Sequence, residues 1–257
     1  MSIVQGPHYQ TMGEGPDLVL IHGWGIGSSV WQVVASSLSQ HYRVHLVDLP
    51  GFNGEPTLPE YSLAAVAETL LNQLPERAIW CGWSLGGLVA THVAAHFPER
   101  VIKLIQVCSS LKFVQQGEWL GVTKDIFETF KAGVVTHPEK TLKRFLSLQA
   151  MGSVTVKNDI AIIKDHMSQQ VAPLPSALVA GLVLLSEVDL RADFQQISVP
   201  SLNLFGQADT LVPLTNLANV KNLLPMNQQV VFENSSHAPF ISEPERFQQV
   251  IYDFINE

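Results

Sequence analysis

Residues 78–88 read Ala-Ile-Trp-Cys-Gly82-Trp-Ser84-Leu-Gly86-Gly87-Leu, an apolar run that breaks at a G-x-S-x-G string. Apolar residues then return at helical spacing as far as His96. A short apolar run bounded by a breaker suits a strand covered on both faces, and the spacing after it suits a helix. The string therefore sits in a strand–turn–helix context, where a serine nucleophile is presented on a sharp turn. Side chains at positions 82 and 86 would collide with neighbouring backbone, so glycine is required at both. Such a turn lifts the Ser84 hydroxyl clear of the sheet. It also aims the free N–H groups of the following helix at a reacting carbonyl.

The same alternation extends outward from this turn. Leu18-Val-Leu-Ile21 and Val44-His-Leu-Val47 precede it as β-rich runs ending at turn residues, and Val101 to Val107 follows it as a fourth. Helical spacing fills 30–38, 63–74 and 88–96. Strand–helix alternation of this kind predicts a parallel sheet with right-handed crossovers. The pattern stops between Leu111 and Asp189, where helical periodicity is broken at Gly121, Gly133, Pro138, Gly152 and Pro173 and no strand is expected. Strands resume at 201–205 and 229–232, and a last helix covers 244–255. The organisation expected is a core of 1–110 and 190–257 with a helical lid, 111–189, over the carboxyl edge of the sheet.

A hydroxyl needs a base, and the base needs an acid to orient it and to stabilise its charged form. Among nine histidines, His237 lies in the loop Glu233-Asn-Ser-Ser-His-Ala-Pro-Phe after the last expected strand. Asp209 follows the strand 202–205 through Gly206-Gln-Ala, at a strand's carboxyl end. Asp48, also at a strand end, reads as a turn residue. His22 reads as structural and His45 as packed within its strand. His8, His41, His92, His96, His137 and His166 read as ordinary surface or core residues. An oxyanion requires two preorganised donors. The Leu85 N–H supplies one, and the turn His22-Gly-Trp24-Gly25 supplies the other from Trp24, leaving that side chain free to line an acyl pocket.

Bulk properties narrow the class. The chain has 257 residues, 46 % hydrophobic and 15 % charged, which suits one compact domain of this size. A net charge of −8 argues against nucleic acid as a partner. The first residues lack the charge and apolar stretch of a signal peptide, and no segment approaches a membrane span, so a cytoplasmic protein is expected. Two cysteines, Cys81 and Cys108, lie in apolar runs and read as reduced core thiols. No zinc, nucleotide or dinucleotide motif is present, so neither metal nor cofactor is expected. Serine at the elbow disfavours chemistry that uses aspartate there.

These stretches resemble the α/β-hydrolase superfamily over nearly the whole chain, and more closely the biotin-pathway carboxylesterases that demethylate pimeloyl-acyl-carrier-protein methyl ester. The resemblance is carried by Leu20-Ile-His-Gly-Trp-Gly25, His45-Leu-Val-Asp-Leu-Pro-Gly-Phe52, Trp80-Cys-Gly-Trp-Ser-Leu-Gly-Gly-Leu-Val-Ala90, Arg144-Phe-Leu-Ser-Leu-Gln-Ala-Met-Gly152 and His237-Ala-Pro-Phe-Ile-Ser242. It implies an α/β-hydrolase fold: a mostly parallel central sheet flanked by helices, with an inserted lid. The order Ser84, Asp209, His237 is the one that fold uses. The resemblance further implies that Trp24, Ser84, Leu85, the lid residues Phe145, Leu146, Ser147, Leu148 and Gln149, and His237 line the substrate. At Gly51-Phe-Asn-Gly-Glu55 the chain departs from the family's Gly-Phe-Gly. Asn53 tolerates positive φ, so a shifted loop with intact chemistry is expected.

Six of the fifteen Lys/Arg fall between positions 131 and 164: Lys131, Lys140, Lys143, Arg144, Lys157 and Lys164. Only Glu139 and Asp159 oppose them there. A locally cationic lid on an anionic body suits an acidic partner. The resemblance identifies that partner as acyl carrier protein, docked on Lys140, Lys143, Arg144, Lys157 and Lys164. Lysine stands where the family has arginine at most of these positions, and Ala161 falls where another arginine is expected. The chain is expected to act as a monomer. Two other readings remain open: a short-chain esterase or carbon–carbon bond hydrolase with no carrier partner, and a non-catalytic receptor on the same scaffold.

Overall fold

The computed structural model describes residues 4–5 and 9–257. His8, and most of the opening stretch on which the expected absence of a leader rests, lie outside them. Eight strands form one sheet: β1 (Val4–Gln5), β2 (Tyr9–Met12), β3 (Asp17–Ile21), β4 (Arg43–Val47), β5 (Ala78–Trp83), β6 (Val101–Val107), β7 (Ser201–Gly206) and β8 (Gln228–Phe232), in the order β1-β2-β4-β3-β5-β6-β7-β8. From β4 to β8 every pairing is parallel, whereas β1 and β2 join antiparallel at the edge. The sequence pattern does not foretell that edge pair, because Tyr9–Met12 is half-buried throughout and carries no apolar alternation. Its strand character comes from pairing with Val44–Val47, a non-local contact.

The central strands are buried on both faces, which is why they read as continuous apolar runs: all six residues of β5 and of β7 are buried. Helix α1 (Gln32–Leu38) packs with the C-terminal pair α10 (Pro239–Ser242) and α11 (Pro244–Asn256). Helix α2 (Leu63–Leu71) packs on α3 (Leu85–His96), and α3 packs on β5 and β6. Ser62 caps α2 by accepting from the Ala65 N–H at 3.2 Å. The expected helix 63–74 ends at Leu71, and α3 begins at Leu85, directly after the serine.

Between β6 and β7 lie α4 (Lys124–Thr136), α5 (Pro138–Gln149), α6 (Val156–Ser168) and α7 (Pro175–Glu187), followed by the short α8 (Arg191–Phe194). Helix α4 packs on α5 and α7, α5 on α6, and α7 on α3. The segment 111–123, expected to be helical, is instead irregular, with a turn at 117–118 and isolated bridges Val114–Val122 and Gln116–Trp119. A further short helix, α9 (Leu217–Leu223), connects β7 to β8. Among the described residues, no helix is long and apolar enough to cross a membrane. Cys81 and Cys108 are buried and unpaired.

Candidate active site

Ser84 occupies the junction of β5 and α3 with φ 53° and ψ −114°, a backbone conformation that β-branched or bulky residues rarely adopt. The turn is held from both sides. The Ser84 N–H donates to Val107 O at 3.0 Å, and the Ser84 carbonyl accepts from the Gly87 N–H at 2.9 Å and from Ser109 Oγ at 2.8 Å. A Cβ at position 82 would overlap the Gly86 carbonyl, and one at position 86 would overlap the Ile21 carbonyl. Both obstacles are backbone, so neither can swing away. The two glycines let the helix start come down on the sheet.

Asp209 stands past the end of β7, where Asp209 Oδ1 accepts the Leu211 and Val212 N–H groups at 2.8 and 3.0 Å. That leaves Oδ2 for His237 Nδ1, 2.7 Å away. Both side chains are 1 % exposed, so the pair is shielded from water. The histidine loop is pinned on its main chain as well. The His237 N–H donates to Gln149 O at 3.0 Å, and Trp83 Nε1 donates to His237 O at 2.7 Å. Glu243 accepts from the Asn234 N–H at 3.2 Å and from Ser235 Oγ at 2.7 Å. With Nδ1 engaged by a carboxylate, the ring's second nitrogen is left as an acceptor. His237 Nε2 is buried and has no protein hydrogen-bond partner, so Ser84 and His237 are not hydrogen-bonded to each other in this state. Bonds of this type often close only around a substrate.

Ser84 opens into a narrow apolar cavity, walled by Phe113, Val122, Phe127, Phe130, Phe145 and Leu182, among others. Neither the Leu85 N–H nor the Trp24 N–H donates to another protein group among the described residues. The arrangement can therefore receive an ester on an apolar stem, attack it from Ser84 and move the proton through His237. What the site lacks is a charged group that would hold a polar ligand in the cavity.

Several predicted site residues lie elsewhere. The Trp24 side chain does not line the cavity: its Nε1 donates to Leu178 O on α7 at 2.8 Å, and its ring stacks edge-on behind Phe145 at 4.7 Å. Of the lid stretch, only Phe145 reaches the cavity. Leu146 is buried, and Ser147 turns back to the Lys143 carbonyl at 2.9 Å. Leu148 is half-buried outside the cavity wall. The Gln149 side chain is wholly buried, with both amide atoms unpartnered. A helix can turn only one side toward a cavity, so five consecutive residues could not all line it.

Lys140, Lys143, Arg144, Lys157 and Lys164 are all exposed, and none enters an ion pair among the described residues. Four of them divide between two grooves. Lys140 and Arg144, with His137, flank a groove between α4 and α5 of about 700 Å³, which shares Ile126 and Phe130 with the Ser84 cavity. Lys143 and Lys164 face a second groove, beside Glu139 and Met167.

The remaining histidines and acids take structural parts. Asp48 accepts from the Ser28 N–H, Ser28 Oγ and Asn53 Nδ2 at 2.7, 2.9 and 3.0 Å, and Asn53 has a φ of 48°, the positive φ expected of it. His22 donates from Nδ1 to Gly23 O and accepts the Leu49 N–H at Nε2. His45 sits against Asp17 at 2.6 Å and Thr11 at 2.9 Å. Cys108 Sγ, Asp209 and His237 place ligand atoms within 4.8 Å of one another. Burial pushes the Cys108 thiol well above its ordinary range, and Asp209 already accepts three N–H donors, so the set is poorly prepared to bind a cation. Sequence reasoning misses Trp83 and Ser109 as supports of the histidine and serine. It also misses the cavity walls from 113–130, 182–185 and 211, whose signal is an apolar spacing indistinguishable from core.

Comparison with known proteins identifies the family. The model of the alpha/beta hydrolase fold family matches residues 16–244. A pimeloyl-acyl-carrier-protein methyl ester esterase of Vibrio cholerae serotype O1 is 45 % identical over 96 % of this chain and 97 % of its own. The protein of the same name from Vibrio vulnificus strain CMCP6 is 44 % identical over the same shares. Among solved structures, the enol-lactonase of Burkholderia xenovorans LB400 superposes with a TM-score of 0.86 at 19 % identity, covering 97 % of this chain and 96 % of that one, a likeness of fold. With a family model over most of its length and near-full-length relatives above 40 % identity, the chain belongs to the alpha/beta hydrolase fold family and, within it, to the pimeloyl-acyl-carrier-protein methyl ester esterases.

Proposed function

We propose that this chain is a serine esterase that hydrolyses the terminal methyl ester of a pimeloyl chain carried on acyl carrier protein, releasing methanol within biotin synthesis. The observations that carry this reading are the buried Asp209–His237 pair and the opening of Ser84 onto a narrow apolar cavity, in a chain 45 % identical to an esterase of that name. Ser84 Oγ attacks the ester carbonyl while His237 Nε2 takes its proton. The N–H groups of Trp24 and Leu85 hold the developing oxyanion. The tetrahedral species collapses, and methoxide leaves as methanol with the proton from His237. Water then attacks the acyl-serine, deprotonated by the same imidazole, and releases Ser84 and a free carboxylate. A carboxylate is costly to bury among phenylalanine and leucine, so the product leaves the cavity and is not drawn back.

The insert 111–189 acts as the lid in this reading, with 1–110 and 190–257 as the core. The groove between α4 and α5 supports Lys140 and Arg144 as a landing point for an acidic carrier, because it adjoins the Ser84 cavity, sharing Ile126 and Phe130 with it. Lys143, Lys157 and Lys164 contribute a weaker, more distributed field. Two buried unpaired thiols fit a reducing cytoplasm.

Charge reversal tests the carrier. In Lys140→Glu/Arg144→Glu, kcat/KM for the carrier-bound methyl ester is expected to fall by about 10-fold or more and to lose its salt dependence, with a free short-chain methyl ester unaffected. Equal rates for the variant and the wild type on carrier-bound substrate would rule out this groove as the docking face.

A further inference from the structure

Asp159 is the one acidic residue of the insert that is wholly buried, 1 % exposed, and it takes part in no ion pair among the described residues. Its carboxylate is satisfied by hydroxyls alone. Oδ1 accepts from Thr155 Oγ1 at 2.8 Å, and Oδ2 accepts from Ser153 Oγ at 2.6 Å and from Ser242 Oγ at 2.7 Å. Thr155 and Ser153 belong to the turn entering α6, so those two bonds order a helix start, as any acid in a first turn does. The third bond does not belong to that pattern. Ser242 lies 83 residues away on α10, the short helix that begins two residues after His237.

Two other bonds tie the same stretch of insert to the same loop. Gln149 O accepts the His237 N–H, and the Val154 N–H donates to Asn234 O at 3.0 Å. The loop 234–242 is thus held at positions 234, 237 and 242 by residues 149–159. Position 242 is the only one of the three held through a charged group, and a carboxylate bond is roughly twice as strong as a neutral one. The core side of α10 is fixed separately by Phe240, packed against Trp31 at 4.2 Å and Trp83 at 5.1 Å. That apolar packing sets depth, and a directional bond at Ser242 sets rotation about it.

We propose that Asp159 is a positioning residue, which holds the His237 imidazole in line with Ser84 through Ser242 and α10. The insert is then part of the catalytic frame as well as a cover over it. This inference rests on the assignment of Ser84, Asp209 and His237 as the reacting set, and is independent of which ester is the substrate.

Ser242→Ala tests it most cleanly, since it cuts the link to α10, including the longer Ser153 Oγ–Ser242 Oγ bond at 3.3 Å, while leaving the bonds of Asp159 to Ser153 and Thr155 at the start of α6. The readout is covalent labelling of Ser84 by a fluorophosphonate, separated into a maximal rate and a half-saturating concentration. Misplacement of the base by a fraction of an ångström is expected to slow the maximal rate on the order of 10-fold. The half-saturating concentration and the melting temperature should stay near those of the wild type. Asp159→Asn should slow labelling at least as much, and the double variant no more than Asp159→Asn alone, because both cut one link. A Ser242→Ala protein that labels at the wild-type rate, alongside an Asp159→Asn protein that only melts earlier, would reduce Asp159 to a helix-start residue and overturn the proposal. Wild-type protein that fails to label would overturn the reacting set and this proposal together. Wild-type protein that labels yet leaves the carrier-bound methyl ester intact would remove only the substrate assignment.

Discussion

Replacing Asp209 by asparagine isolates the orienting function of the acid, because the structure dictates how the new amide must sit. Oδ1 of Asp209 accepts two backbone N–H groups, from Leu211 and Val212. An asparagine with its NH2 on that side would set a donor against two buried donors, each left unsatisfied at about 1–3 kcal/mol. The opposite orientation, favoured by about 2–6 kcal/mol on that count, keeps the oxygen there and turns the NH2 toward His237 Nδ1. The imidazole must then accept at Nδ1 and carry its proton on Nε2, the nitrogen that should receive the Ser84 proton. A ring in the wrong tautomer costs about 10⁴-fold in kcat, equivalent to about 5.5 kcal/mol of barrier. Shape and volume are unchanged, so the melting temperature should move by no more than a few degrees. Steady-state hydrolysis of a chromogenic short-chain ester, with thermal melts of the same preparations, measures both. A folded Asp209→Asn enzyme retaining kcat within about 10-fold of the wild type would refute the assignment of Asp209 as the orienting acid.

Other consequences concern folding. Gly82→Ala places a methyl group on the Gly86 carbonyl, and relief requires moving the start of α3. Stability should drop by at least about 3 kcal/mol, read as a lower urea midpoint, and an unchanged midpoint would contradict so close an approach of α3 to β5 at the elbow. Acid should destabilise the fold from near neutrality. His22 is held neutral between Gly23 O and the Leu49 N–H, and burial lowers its pKa below the ordinary 6.5, with burial shifting His45, His92 and His166 the same way. The unfolded chain therefore takes up protons first as pH falls, so the stability these groups contribute is present above about 6.5 and lost below it. The melting temperature should decline between about pH 7.5 and about pH 5.5; a flat profile there would show that these rings are not held neutral.

The parts of the site that are legible in the sequence are those set by local rules. The elbow announces itself because glycine spacing, an apolar strand and a helix start are all written within eleven residues. Asp209 and His237 follow because each stands in a loop just beyond a recognisable strand. Asp48 and Asn53 are readable for the same reason, as turn residues with short-range partners. What stays hidden depends on contacts distant in sequence. Tyr9–Met12 is a strand only because β4 supplies its hydrogen bonds. The Trp24 ring is expected in the pocket, yet a carbonyl 154 residues away draws its N–H onto α7. Lys143 and Arg144 are neighbours in the chain, but the turn of the helix between successive residues sends them to different grooves. Ser242 reads as a polar residue on a short helix, and nothing local marks it as a partner of Asp159.

The esterase assignment stands or falls on the intact mass of acyl carrier protein bearing the pimeloyl methyl ester, before and after incubation with the wild type and with Ser84→Ala. The carrier should lose the mass of one methylene with the wild type alone, keep its thioester, and be processed more slowly as salt is added. An unchanged carrier mass, alongside rapid hydrolysis of small free esters by the same preparation, would contradict that assignment.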